Sequence, residues 1–159
     1  GRFDLSNTAV VSPDAGRIRV AEKWSKKLGG APLAFVHKTR DTTRPNVAVA
    51  NRVVGDVAGK ECVLVDDMID TAGSLVAAAT TLKAKGAEKV YACATHGLFS
   101  GPAYERIANS SIEEVVVTNA VPVPLERQTG KVKVLSVGPL FAKTISNVYN
   151  NGSVASLFE

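Results

Sequence analysis

The feature that most constrains the fold is an apolar run that ends in two carboxylates and then in a loop of small residues. Residues 63–65 are rich in β-branched side chains, which is typical of a strand buried on both faces of a parallel sheet. Residues 75–85 are rich in alanine and predict a helix that ends at Gly86. The loop between them is therefore expected at the carboxyl end of a strand, where open α/β sheets bind ligands.

This loop has the composition of a phosphate-binding turn. Backbone N–H groups of small residues can surround a phosphate at the positive end of the next helix. Asp66 and Asp67 precede the loop, and carboxylates there can accept hydrogen bonds from sugar hydroxyls or bind a divalent cation. An isolated Asp pair is more often solvated or helix-capping, so the prediction of a sugar-phosphate site depends on the whole run 62–74. The small loop residues are Thr71, Ala72, Gly73 and Ser74.

Size and composition limit the alternatives. A chain of 159 residues with 45% hydrophobic residues predicts one globular domain over residues 1–159. The net charge of +4 suits anionic ligands, while 6% aromatic residues provide no platform for stacked bases, so we expect no nucleic acid partner. No apolar run approaches the roughly 18 residues that span a bilayer, so we expect no membrane association. Cys62 and Cys93 lie in apolar runs, which predicts two buried, reduced thiols in a cytoplasmic protein.

Strand-like and helix-like segments alternate along the chain. Strands are predicted at 8–11, 32–36, 47–54, 61–65, 89–94, 114–118 and 132–137, and helices at 17–28, 75–85, 102–109 and 139–149. This alternation predicts a doubly wound α/β fold with a mostly parallel sheet flanked by helices. We expect one hairpin, between the strands at 47–54 and 61–65, across the glycine-containing turn at 55–59.

Two further polar loops follow strands at the same predicted edge. In the first, Asp14 follows a strand, and an ordinary helix-capping aspartate is the alternative to a functional one. The second, at 37–46, carries Lys38, Arg40 and Arg44 with no apolar anchor. A solvated surface loop is the alternative here. However, a loop with such cations suits phosphoryl chemistry, because it can neutralise developing charge and exclude water when it closes.

Taken in order and spacing, these motifs resemble one enzyme family. Residues 62–74 resemble the phosphoribosyl-pyrophosphate motif that type I phosphoribosyltransferases share with ribose-phosphate pyrophosphokinases. With residues 10–16, 37–40, 55–59, 94–101 and 152–159 included, the chain resembles the carboxyl-terminal half of bacterial, and in particular actinobacterial, ribose-phosphate pyrophosphokinases. The resemblance implies a type I phosphoribosyltransferase-like fold. It also implies transfer of the pyrophosphoryl group of Mg-ATP to the anomeric hydroxyl of ribose 5-phosphate.

The resemblance also implies roles for individual residues. Lys38 would be the catalytic lysine, Arg40 its partner on the reacting phosphates, and Asp14 a ligand of Mg²⁺. The loop that carries them is longer than the Lys-Arg-Arg-Pro form typical of many members, so Arg44 receives no role. The residues implied to bind ribose 5-phosphate are Arg40, Asp66, Asp67, Asp70, Thr71, Ala72, Gly73 and Ser74.

The resemblance further implies an amino-terminal domain, not among these residues, that supplies a metal-binding histidine and much of the ATP site. We therefore expect the chain alone to bind ribose 5-phosphate with little or no synthesis, and the full enzyme to be a homo-oligomer, a hexamer. His37 and His96 are not expected to replace the absent histidine, and Trp24 is expected to be a packing residue. Two other functions stay open: a type I phosphoribosyltransferase, and a non-catalytic regulatory homologue.

Overall fold

The computed structural model describes residues 5–39, 50–128 and 130–158, except for the side chains of residues 38, 39, 50 and 51. Its strands are β1 (Thr8–Ser12), β2 (Leu33–Thr39), β3 (Ala50–Val54), β4 (Glu61–Ile69), β5 (Lys89–Gly97), β6 (Glu114–Thr118) and β7 (Val132–Leu135). Its helices are α1 (Ile18–Lys27), α2 (Gly73–Ala84), α3 (Ala103–Ala108) and α4 (Gly138–Tyr149). A one-turn 3₁₀ helix, Ala15–Arg17, precedes α1.

The strands form one sheet in the order β3-β2-β1-β4-β5-β6-β7. Every neighbouring pair is parallel except β2 and β3, which are antiparallel. The predicted fold class, a doubly wound and mostly parallel α/β sheet, is confirmed. Because β1, β2, β4 and β5 run in the same direction, the loops that follow them meet at one edge of the sheet.

The predicted hairpin between β3 and β4 is wrong. β3 pairs with β2, where Val54 lies opposite Phe35, and both β2 and β1 separate it from β4. All five residues of β1 are buried, so this strand fits the centre of the sheet beside β4. In contrast, β3 exposes Arg52 and Val54 and suits an edge. Local chain proximity predicted a hairpin, but burial decided the pairing.

Helices cover the two faces of the sheet unequally. Alternate residues of a strand point to opposite faces, and in β4 Leu64 packs with α2 whereas Val63 and Val65 pack with Ala21 of α1. Since Ala78 and Ala79 are buried, α2 approaches the sheet closely. The main hydrophobic core therefore lies between the sheet and α2 with α3, and a smaller core lies under α1.

Part of the α1 side of the sheet is open. Trp24 is 40% exposed and lines a groove with Cys93 and Leu135, so the expectation that Trp24 is a packing residue is only partly met. Beyond this groove, α4 has no buried residue. Among the described residues, no helix combines the length and hydropathy that crossing a bilayer requires.

The two thiols differ in burial. Cys62 is fully buried, as predicted, whereas Cys93 is only half-buried, because it lines the open groove beside Trp24. Burial raises the pKa of each thiol to about 11. The two cysteines form no disulfide with one another, and their thiols are protonated near neutral pH.

Candidate functional site

The loop after β4 forms one wall of a cavity of about 290 Å³ at the carboxyl edge of the sheet. Ala72 has left-handed backbone angles (φ 58°, ψ 5°) and turns the chain directly into α2. No side chain of the described residues caps α2 through its N-cap position. The first N–H groups of a helix lack intrahelical acceptors, so this end of α2 can donate to an anion in the cavity.

The connection between β5 and α3 fixes the shape of this loop. The N–H groups of Leu98 and Phe99 donate to the carbonyl oxygen of Ile69 (2.9 and 3.1 Å), and the N–H of Ser100 donates to that of Asp70 (3.1 Å). Arg106 of α3 donates from Nη1 to the carbonyl oxygen of Thr71 (2.9 Å). The loop is therefore held in place from outside the cavity before any ligand binds.

Most residues implied to bind a sugar phosphate share this cavity. Its walls consist of the whole loop together with carboxylates near the carboxyl ends of the neighbouring strands β1 and β4. These lining residues include Asp14, Asp66, Asp70, Thr71, Ala72, Gly73 and Ser74. In contrast, Asp67 lines an adjacent groove of about 240 Å³ that Asp66 also borders. Asp66 therefore borders both spaces, whereas Asp67, the next residue along the strand, faces the other side of the sheet and borders the groove alone.

The Asp pair interacts with a cation that the sequence did not predict. Arg17 places Nη2 2.5 Å from Oδ2 of Asp67 and Nε 3.8 Å from Oδ1 of Asp66. The N–H of Asp67 also donates to Oδ1 of Asp66 (2.9 Å). Burial raises the pKa of Asp66. For Asp67, burial acts in the same direction, but the hydrogen bond with Asp66 and the charge of Arg17 outweigh it and lower the pKa.

Asp14 combines a capping contact with a position in the cavity wall. Its Oδ1 accepts a hydrogen bond from the N–H of Gly16 (2.8 Å) and caps the turn Ala15–Arg17. The described residues contain no group of three or more His, Cys, Asp or Glu side chains suited to a metal ion. However, Mg²⁺ commonly binds one or two carboxylates and completes its shell with water and substrate phosphates. A single carboxylate in the wall of a cavity that can accept an anion fits that mode of binding.

Of the two predicted catalytic cations, the structure describes only the backbone of Lys38. Lys38 lies in β2 opposite Asn51, one residue before the carboxyl end of the strand. This position belongs to the edge that carries the cavity, since β2 runs parallel to β1. The side chain of Lys38 lies outside the described part of the structure, as do Arg40 and Arg44.

Comparison with known proteins identifies the family. Residues 31–159 match the family model described as the phosphoribosyl synthetase-associated domain. The chain belongs to this family. Over 155 residues it is 62% identical to a ribose-phosphate pyrophosphokinase of Bifidobacterium longum, covering 98% of this chain and 46% of that protein. A ribose-phosphate pyrophosphokinase of Corynebacterium efficiens is 56% identical, with 99% and 48% covered.

Solved structures agree with this membership. The phosphoribosylpyrophosphate synthetase of Mycobacterium smegmatis superimposes with a TM-score of 0.82 at 50% identity, covering 92% of this chain and 46% of that one. An orotate phosphoribosyltransferase from Aeropyrum pernix has a TM-score of 0.55 at 21% identity, covering 92% and 69%, which shows a shared fold alone. The phosphoribosyl synthetase-associated domain described here spans about half the length of the curated relatives it matches.

Proposed function

We propose that this domain provides the ribose 5-phosphate site of a ribose-phosphate pyrophosphokinase. The supporting observation is the cavity at the end of β4, where the N-terminus of α2, whose N-cap residue Ala72 makes no side-chain cap, and a small-residue loop lie beside Asp66 and Asp70. The 5-phosphate would bind the N–H groups of residues 71–74. The sugar hydroxyls would then lie toward the carboxylates, which accept hydrogen bonds.

In the proposed reaction, the anomeric hydroxyl oxygen of ribose 5-phosphate attacks the β-phosphorus of ATP. The bond from that phosphorus to the oxygen bridging the α-phosphorus breaks, AMP leaves, and the hydroxyl proton passes to solvent. Lys38 and Arg40 would offset the charge that develops on the transferred group. Bound Mg²⁺, held by Asp14 and the phosphates, would supply further charge neutralisation. The protein contributes mainly position and electrostatics.

The proposal also concerns the rest of the protein. The pyrophosphokinase names of the relatives, and their length of about twice this chain, support a role as one part of a longer enzyme. We propose that this chain is its carboxyl-terminal half and that the ATP site lies mostly in the other half. We further propose that the full enzyme is a homo-oligomer, a hexamer, in the cytoplasm. The free thiols Cys62 and Cys93 fit that reducing compartment.

The two rival functions have weaker support. A type I phosphoribosyltransferase shares the fold, but the likeness to one is only 21% in sequence, whereas relatives above 50% identity carry the pyrophosphokinase name. A non-catalytic regulatory homologue would not need Lys38 and Arg40 at their spacing.

Calorimetry and a synthesis assay test the proposal together. The 159-residue chain should bind ribose 5-phosphate but form little or no phosphoribosyl pyrophosphate from Mg-ATP. The variant Ser74→Ala, which removes a hydroxyl from the loop at similar volume, should bind more weakly than the control Ser111→Ala, which removes the hydroxyl of an exposed serine beyond α3. Absence of binding by the unaltered chain would refute the proposed site, and strong synthesis by the chain alone would refute the assignment of the ATP site elsewhere.

A further inference from the structure

Arg17 is the cation that the structure brings to the Asp pair, and no motif assigned it a role. It ends the turn that Asp14 caps, directly before α1. β1 and β4 are adjacent parallel strands, so the loop after β1 lies beside the carboxyl end of β4. From there Arg17 reaches Asp67 at 2.5 Å, and its Nε lies 3.8 Å from Asp66.

The site has a surplus of negative charge that this contact offsets. Asp14, Asp66 and Asp70 line the cavity, and Asp67 lies just outside it. A phosphorylated sugar adds further negative charge, and like charges at short range weaken binding. Among the described residues, the ion pairs that involve Asp66 and Asp67 are both formed by Arg17.

The contact also separates the roles of the two carboxylates. Arg17 binds Asp67 on the α1 side of the sheet, while Asp66 remains in the cavity wall. Without the guanidinium, the two adjacent carboxylates would repel one another, and the orientation of Asp67 would no longer be fixed. Because the Arg17 side chain is 42% exposed, its ion pair contributes little to folding stability. Its effect should therefore appear in binding.

We propose that Arg17 is a positioning residue for the sugar-phosphate site, acting through Asp67. By holding Asp67 outside the cavity and offsetting its charge, Arg17 keeps the Asp66 carboxylate in the cavity wall, where it can accept hydrogen bonds from the sugar. This inference rests on the proposed function, since it takes ribose 5-phosphate as the ligand.

A double-mutant cycle measured by calorimetry tests it on the full 159-residue chain. Arg17→Gln should weaken binding of ribose 5-phosphate about fivefold, which corresponds to about 1 kcal/mol, the upper end for a partly exposed ion pair. In the Asp67→Asn background the same change should cost less than about twofold, because interacting residues are not additive. Binding of inorganic phosphate, which uses the loop alone, should weaken no more than about threefold. Arg19→Gln, which removes an exposed charge two residues away, is the control and should leave both affinities unchanged.

The outcomes separate the inference from the proposed function. If the unaltered chain binds ribose 5-phosphate and Arg17→Gln binds it equally well, the positioning role is refuted and the proposed function stands. Equal losses for ribose 5-phosphate in both backgrounds, or equal losses for both ligands, would also refute a role through Asp67. If the unaltered chain does not bind ribose 5-phosphate, the proposed function fails and the inference fails with it.

Discussion

The contact between Arg106 and the loop after β4 predicts a binding defect without a folding defect. Arg106 donates to the carbonyl oxygen of Thr71 at 2.9 Å, and it does so from an exposed side chain. A hydrogen bond to a charged donor contributes about 1.5–3 kcal/mol when buried, so solvent screening reduces this one to about 1 kcal/mol. In Arg106→Gln that free energy no longer favours the loop conformation that we propose binds the phosphate. We expect about fivefold weaker binding of inorganic phosphate and of ribose 5-phosphate, since 1.4 kcal/mol is a factor of ten.

Thermal melting and calorimetry on the same samples test this reasoning. α3 stays anchored by Ala103 and Ile107, which are 0% and 1% exposed, so the melting temperature should fall by less than about 3 °C. Arg127→Gln, which removes a charge stacked on Tyr104 of the same helix, controls for long-range electrostatics and should bind like the unaltered chain. Unchanged affinity in Arg106→Gln would refute the bracing role. An equal loss in Arg127→Gln would show that net charge, and not the contact with Thr71, is responsible.

Three other properties can be checked on the same protein. In the full-length enzyme, Lys38→Ala should reduce turnover at least 100-fold, on the order expected for lost transition-state charge stabilisation, with little change in ribose 5-phosphate affinity; unchanged turnover would refute the role of this lysine. Gly55→Ala should destabilise the chain by about 3 kcal/mol in denaturant titration, because a Cβ there would lie 2.7 Å from a β2 carbonyl oxygen at φ +106°. Gly59→Ala, with φ +70° and nothing within 4 Å, is the matched control and should cost about 1 kcal/mol; equal costs would contradict the steric argument. Since burial raises the pKa of Cys93 to about 11, its alkylation rate should rise about tenfold per pH unit from pH 8 to pH 10, and a plateau near pH 8 would contradict the raised value.

Local patterns predicted the elements that build the site. The run from β4 through the loop to α2 was predictable because strand burial, small residues and helix propensity all lie within the continuous segment 61–84. α2 begins two residues earlier than predicted, because Gly73 and Ser74 belong to its first turn. β5 continues past its predicted end to Gly97, since its last residues still pair with β4.

Non-local contacts were not predictable in the same way. The pairing of β3 with β2 depends on which strands are buried on both faces, and that becomes clear only when the whole sheet is assembled. Arg106 contacts a residue 35 positions away and carried no signal in the sequence. Of the contacts that the sequence analysis missed, the one between Arg17 and the Asp pair was the easiest to predict, because Arg17 follows a loop that was assigned to the correct edge of the sheet.

Backbone amide shifts on addition of ribose 5-phosphate test most directly whether the cavity at the N-terminus of α2 binds the sugar phosphate. In a nitrogen-15 NMR titration of the 159-residue chain, we expect the largest saturable shifts at Thr71, Gly73 and Ser74, with smaller shifts at Asp66. Shifts concentrated in the groove beside Trp24, or the absence of saturable shifts in the loop, would contradict it.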